Sequence, residues 1–115
     1  MKVVFVCPPQ FNHQQEHYEQ LNTILDFVEE RGFPLLRLQM KIDEIGLDPN
    51  RDYMDPYHTN IHGAIKYTRF VASYLVKEYG LTDKKELSEY ASFEKAWQEY
   101  REELSPYILS EELTA

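Results

Sequence analysis

Hydrophobic positions fall into runs of two different periods. Val3 to Cys7 is a continuous apolar run, mostly β-branched, closed by Pro8-Pro9. Such a run reads as a strand buried on both faces, and the prolines force an extended exit. From His17 to Arg31 the apolar residues Tyr18, Leu21, Ile24, Leu25 and Val28 recur at spacings of three and four, which predicts an amphipathic helix. Gly32 stands where a C-terminal cap belongs. Phe33 to Leu38 reads as a second strand, with Pro34 near its start, where a proline is tolerated. A strand, a helix and a strand joined by short links make a right-handed crossover with parallel pairing.

Met40 to Tyr57 has no period, contains Asp43, Asp48 and Asp52 in turn-like settings, and is expected to be irregular. The helical period then returns. Ile61, Ala64, Ile65, Thr68, Val71, Ala72, Leu75 and Val76 trace one stripe from Asn60 to Tyr79-Gly80. A last helix is expected over Lys85 to Leu104, with Leu87, Tyr90, Phe93, Trp97, Tyr100 and Leu104 on one side. That aromatic stripe reads as core. The alternative is a face that binds a partner helix, which would make the chain an interaction module.

At 115 residues, 43% hydrophobic and 28% charged, the chain has the make-up of one ordinary globular domain. The formal charge of −8 disfavours nucleic acid and anionic lipid as partners. No apolar run approaches the roughly 18 residues of a membrane span. Val3 to Val6 is too short for a signal peptide, so the expected compartment of the chain as given is the cytoplasm. The single cysteine, Cys7, excludes an internal disulfide and a multi-thiolate zinc site.

The chemistry gathers in Asp55-Pro56-Tyr57-His58-Thr59-Asn60-Ile61-His62-Gly63-Ala64. This segment leads from the loops that follow a parallel strand into the strongest helix, the end of an open α/β sheet where reacting groups collect. Pro56 stiffens a turn across which the Asp55 carboxylate reaches His58 Nδ1–H. That bond fixes the imidazole tautomer and leaves Nε2 as a base. Asn60 is placed to cap the helix. An ordinary helix entry with a surface histidine is the plainer reading of the same spacing.

Asp55-x-x-His58, then Asn60, Gly63-Ala64, Lys66-x-Thr68 and the run to Tyr79-Gly80, resembles the C-terminal block of SGNH/GDSL-type hydrolases. Upstream, Cys7-Pro8-Pro9-Gln10, the strand Pro34–Leu38 and the loop with Glu44-Ile45-Gly46-Leu47-Asp48 are similar in order to the second half of bacterial members. The resemblance implies a three-layer α/β/α, flavodoxin-like fold of which only the C-terminal half is present over residues 1–82. Residues 83–115 would form a helical extension. It further implies a serine esterase or acetylesterase acting on a small-molecule or glycan ester without a cofactor. In that reading His58 is the general base and Asp55 its orienting carboxylate.

The family's Gly-Asp-Ser nucleophile motif does not occur in the sequence, and Ser73, Ser88, Ser92, Ser105 and Ser110 lie in the long helix or the tail. The isolated chain is therefore expected to be inactive, as the C-terminal part of a longer hydrolase, as a degenerate non-catalytic relative, or as one piece that assembles with another. Its unpaired sheet edges would favour self-association or a missing N-terminal half.

Two other constellations carry chemistry. Cys7 with His58 and Asp55 would form a cysteine-nucleophile site, although a thiol ending a strand is more often a small buried hydrophobe. Asp55, His58 and His62 have the look of a divalent metal site, but His58 is expected in the loop ahead of the helix, which separates the two imidazoles. His13 and His17 read as surface residues at a helix start.

Overall fold

A computed structural model describes residues 1–11 and 14–108. It is a mixed α/β structure with one two-stranded parallel sheet. Strand β1 (Phe5–Cys7) is followed by helix α1 (Gln15–Glu30) and strand β2 (Leu35–Arg37). A 3₁₀ turn over Leu38–Met40 and a single helical turn, α2 (Ile42–Ile45), come next. The long helix α3 (Ile61–Tyr79) follows, and α4 (Ala91–Leu104) is entered through a 3₁₀ turn at Ser88–Tyr90. The chain divides into two compact units, Met1–Tyr67 and Thr68–Ala115.

The first unit follows from its sequence pattern. Phe5 pairs with Leu35, Val6 with Leu36 and Cys7 with Arg37, in parallel, and Phe5 N–H donates to the Pro34 carbonyl at 2.9 Å. Helix α1 ends as the glycine requires. Gly32 adopts φ +75°, and Gly32 N–H and Phe33 N–H reach back to the carbonyls of Glu29 and Val28 at 2.8 and 3.4 Å. This paired bond pattern closes a helix through a left-handed residue, a conformation that costs glycine no Cβ clash. Arg37 on β2 then clasps the helix, donating to Asp26 at 3.1 Å and Glu29 at 2.7 Å. Cys7, Leu25, Leu36, Leu38, Leu47 and Tyr53 are the buried hydrophobic residues of this unit.

Strand β1 departs from its expected setting. A continuous apolar run predicts burial on both faces, yet Phe5 is 39% and Val6 42% exposed. The cause is the size of the sheet. With two strands among the described residues, β1 has one bonded neighbour, and its outer edge and part of its faces meet solvent. The segment between β2 and α3 holds more local order than its composition suggests, because the short turn α2 interrupts it.

In the second unit the aromatic stripe of α4 is not core. The helix has no buried residue, Phe93 is 72% exposed, and the rings stack along the helix itself, Tyr90 on Phe93 and Trp97 on Tyr100, each with centroids 6.2 Å apart. Helix α4 begins at Ala91, so Leu87 and Tyr90 of the expected stripe precede it, and periodicity carries no information on whether another element covers an apolar face. Among the described residues no helix is long and apolar enough to cross a membrane.

Candidate active site

The candidate site is built on the loop between α2 and α3, and its foundation is a buried carboxylate. Asp52 is completely buried. Its Oδ2 accepts the Asp48 N–H at 2.8 Å and the Lys66 ammonium at 2.6 Å, and Lys66 Nζ also donates to the Gly46 carbonyl at 2.9 Å. Burial pushes the Asp52 pKa up, but the bonds from Lys66 and Asp48 and the positive charges of Lys66 and Arg51 prevail and hold it below the ordinary carboxylate value. Lys66 is thus the counter-ion of the loop.

From Asp52 the chain closes a small loop. Tyr53 and Thr59 form an antiparallel bridge, and Met54 N–H donates to the His58 carbonyl at 2.9 Å. The Tyr53 hydroxyl donates to the Pro9 carbonyl, and Phe11 N–H donates to the Pro56 carbonyl at 2.9 Å, so the loop is tied to the exit of β1 from both its base and its tip. Burial, helped by the negative charge of Asp52, pushes the Tyr53 phenol up to about 12. The hydroxyl therefore remains a donor throughout the physiological range.

Inside this loop the anticipated contact is present. Asp55 Oδ1 accepts the backbone N–H groups of Tyr57 at 2.8 Å and His58 at 2.9 Å. The His58 ring turns its Nδ1 to the same carboxylate, 2.9 Å from Oδ2 and 3.0 Å from Oδ1. A carboxylate only accepts, so Nδ1 carries the proton and the neutral ring has its lone pair on Nε2. The His58 bond, followed by the Tyr57 amide, holds the Asp55 carboxyl below its usual pKa. Both side chains stay accessible, at 68% for His58 and 46% for Asp55.

Asn60 fixes where the helix begins. Its Oδ1 accepts the N–H groups of His62 and Gly63 at 2.9 and 3.2 Å, and its Nδ2 donates to the Arg51 carbonyl at 2.7 Å. Capping of this kind is worth about 1 kcal/mol. Asn60→Ala is accordingly expected to lower the unfolding free energy by about 1–2 kcal/mol in a urea titration, since it also orphans the Arg51 carbonyl. Helix α3 starts at Ile61, which leaves His58 in the loop. Asp55, His58 and His62 do not assemble as ligands, and among the described residues no group of three or more acidic, His or Cys side chains could hold a metal ion.

His58 opens onto a cleft of about 530 Å³. Its walls are Pro8 to Gln10 at the exit of β1, Met54, Tyr57 and Thr59 on the loop, and Ala64 and Tyr67 on α3. No serine lines it. Ser73 lies within α3, Ser88 and Ser92 lie at the entry to α4, and Ser105 follows α4; Ser110 is outside the described residues. Cys7 is buried, with Sγ 3.7 Å from the Pro8 carbonyl. Burial raises its pKa against the opposing influences of Arg37 and Gln10, which does not favour a nucleophilic thiolate.

The sequence reading missed one participant. His17 is not a plain surface residue: it is half-buried, its Nε2 lies 3.2 Å from Gln10 Oε1, and its ring meets Tyr57 edge-on at 5.3 Å. Its place in the first turn of a helix that follows the β1 exit was the available signal. His13 lies outside the described residues. Comparison of the chain with family models, curated protein sequences and solved structures returns no match.

Proposed function

We propose that this chain is the dyad-bearing part of a carboxylic ester hydrolase of SGNH/GDSL type, with a glycan O-acetyl group or a small ester as substrate. The observation that carries the reading is the bond from His58 Nδ1 to Asp55 Oδ2 at 2.9 Å, made by a side chain that opens onto a largely apolar cleft. The nucleophilic serine comes from residues outside this chain. His58 Nε2 accepts the serine proton as the oxygen attacks the acyl carbon and returns it to the leaving alcohol. Asp55 holds the ring and stabilises the imidazolium formed in between. In the same reading the fold is the C-terminal half of a three-layer α/β/α flavodoxin-like domain, and the missing strands extend the sheet along the open edge of β1.

The test starts with the isolated chain. It is expected to hydrolyse p-nitrophenyl acetate no faster than free imidazole, because its cleft holds no serine. Joined to a segment carrying a Gly-Asp-Ser strand exit, sought in the DNA upstream of Met1, it should gain turnover. His58→Ala should then reduce that turnover by about 10³-fold or more, and Asp55→Asn by a comparable factor. Turnover by the isolated chain that a serine-directed phosphonate abolishes would contradict the proposal. So would a joined enzyme indifferent to His58→Ala. A degenerate, non-catalytic relative is the second reading, favoured by the serine-free cleft, and it predicts that no upstream segment restores activity.

A further inference from the structure

The cleft has a second polar group whose orientation is set by a residue outside the dyad. Gln10 follows β1 and sits on a tight turn around the buried Pro9, in which Gln10 N–H donates to the Pro8 carbonyl at 2.9 Å. The Tyr53 hydroxyl bonds the carbonyl of that same Pro9, so the turn is anchored to the loop that carries Asp55 and His58. Gln10 is therefore placed by backbone geometry at the wall of the cleft it shares with His58.

The amide has an identifiable polarity. Gln10 Oε1 is 3.2 Å from His17 Nε2. With the amide oxygen on the His17 side, the contact is a hydrogen bond in the tautomer that carries the His17 proton on Nε2. With the oxygen occupied, the NH₂ end is left to face elsewhere. The Gln10 side chain also lowers the pKa of the Cys7 thiol, against the larger effect of burial. Gln10 lines a mostly apolar cleft, and its amide nitrogen is the end of the side chain not turned to His17. His17 is itself braced by the Tyr57 ring, which also meets the His58 ring, with centroids 6.4 Å apart.

We infer that Gln10 is a catalytic hydrogen-bond donor of this site: its amide N–H binds the acyl oxygen of a short-chain ester or of the carboxylate product, and His17 is the positioning residue that turns the amide to do so. This rests on the ester-hydrolase reading above. A pre-oriented donor aimed at the acyl oxygen stabilises the charge that grows there as the carbonyl is attacked. It also suits the cleft, whose lining supplies neither lysine nor arginine for a strongly anionic substrate.

Titration of the full chain with sodium butyrate, followed by NMR of side-chain amides and histidine rings, tests the inference. Saturable shifts are expected at the Gln10 NH₂ and the His58 ring. Gln10→Leu and His17→Leu should each weaken binding about tenfold, the worth of one hydrogen bond to a charged acceptor. His17→Gln should retain binding, because its amide can donate to Gln10 Oε1. Ring ¹⁵N shifts should show the Nε2–H tautomer at His17 in the unliganded chain. An Nδ1–H tautomer there would overturn the inference, since the Gln10 amide would then present its oxygen to the cleft. Unchanged affinity in Gln10→Leu, with His58 still responding, would remove Gln10 from the mechanism and leave the dyad reading standing. Retained Gln10-dependent binding in His58→Ala would support the donor, because His58 serves in that reading as a base and not as a binding group. No saturable shift at either residue would overturn both.

Discussion

Gly63→Ala is expected to destabilise the first unit by about 3 kcal/mol, toward the upper end of what overpacking costs. A Cβ at residue 63 would sit 2.2 Å from the backbone carbonyl oxygen of Asp52, with Thr59 Cβ at 3.0 Å and Asp52 Cβ at 3.1 Å. The nearest obstacle is main chain, which cannot swing aside as the end of a long side chain would. That carbonyl also accepts the Asn60 N–H at 2.9 Å, so moving it disturbs the helix cap as well. Alanine improves helix propensity by about 1 kcal/mol, which offsets only part of the clash. Urea unfolding of the two proteins measures the difference. An alanine variant within about 0.5 kcal/mol of the parent would mean that α3 and the loop are not in this close contact.

Lys66→Met is expected to cost about as much for a different reason. It leaves the fully buried Asp52 carboxylate without its cation, and breaking a buried pair from one side typically costs about 3–5 kcal/mol. Lys66 is one-third exposed, so the lower end of that range applies. The pH dependence separates this cause from lost packing. In the parent the folded-state pKa of Asp52 lies below its unfolded value of 3.8. The carboxylate therefore contributes stability above that value and loses it as pH falls further, through the folded-state pKa. In the variant, burial without a counter-ion places the folded-state pKa above the unfolded one. The penalty is then present at neutral pH and is relieved on acidification. The stability gap between parent and variant should narrow from neutral pH toward about pH 4. A gap that stays constant over that interval would show that Asp52 does not carry the effect.

The two substitutions mark the boundary of what the sequence makes legible. The Asp55–His58 contact, the Asn60 cap and the start of α3 depend on partners two or three residues away, and a proline-stiffened turn restricts the alternatives. Their residue types in that order nearly define their geometry. The Asp52–Lys66 pair spans 14 positions and the Tyr53–Pro9 bond 44, so both exist only once the fold has brought distant segments together. Asp52 looked like another turn aspartate, and no local spacing joins it to Lys66. The same limit explains β1 and α4. An apolar run or stripe states what a segment would bury, whereas the neighbour that does the burying is a property of the rest of the structure. For β1 the outer neighbour is lacking among the described residues, and for α4 the aromatic rings lean on each other.

The loop between Tyr53 and Thr59 has a consequence of its own. Its bridge, its carboxylate turn and its helix cap are all closed over stretches of nine residues or fewer, so little chain entropy is spent in forming them. Geometry secured so locally is portable. The segment from Arg51 to Lys66 closes its acid–imidazole turn and its helix cap from within, so a host scaffold that received it would have to supply only the outside partners, in place of the Asp48 amide, the Gly46 and Pro9 carbonyls and the Phe11 amide.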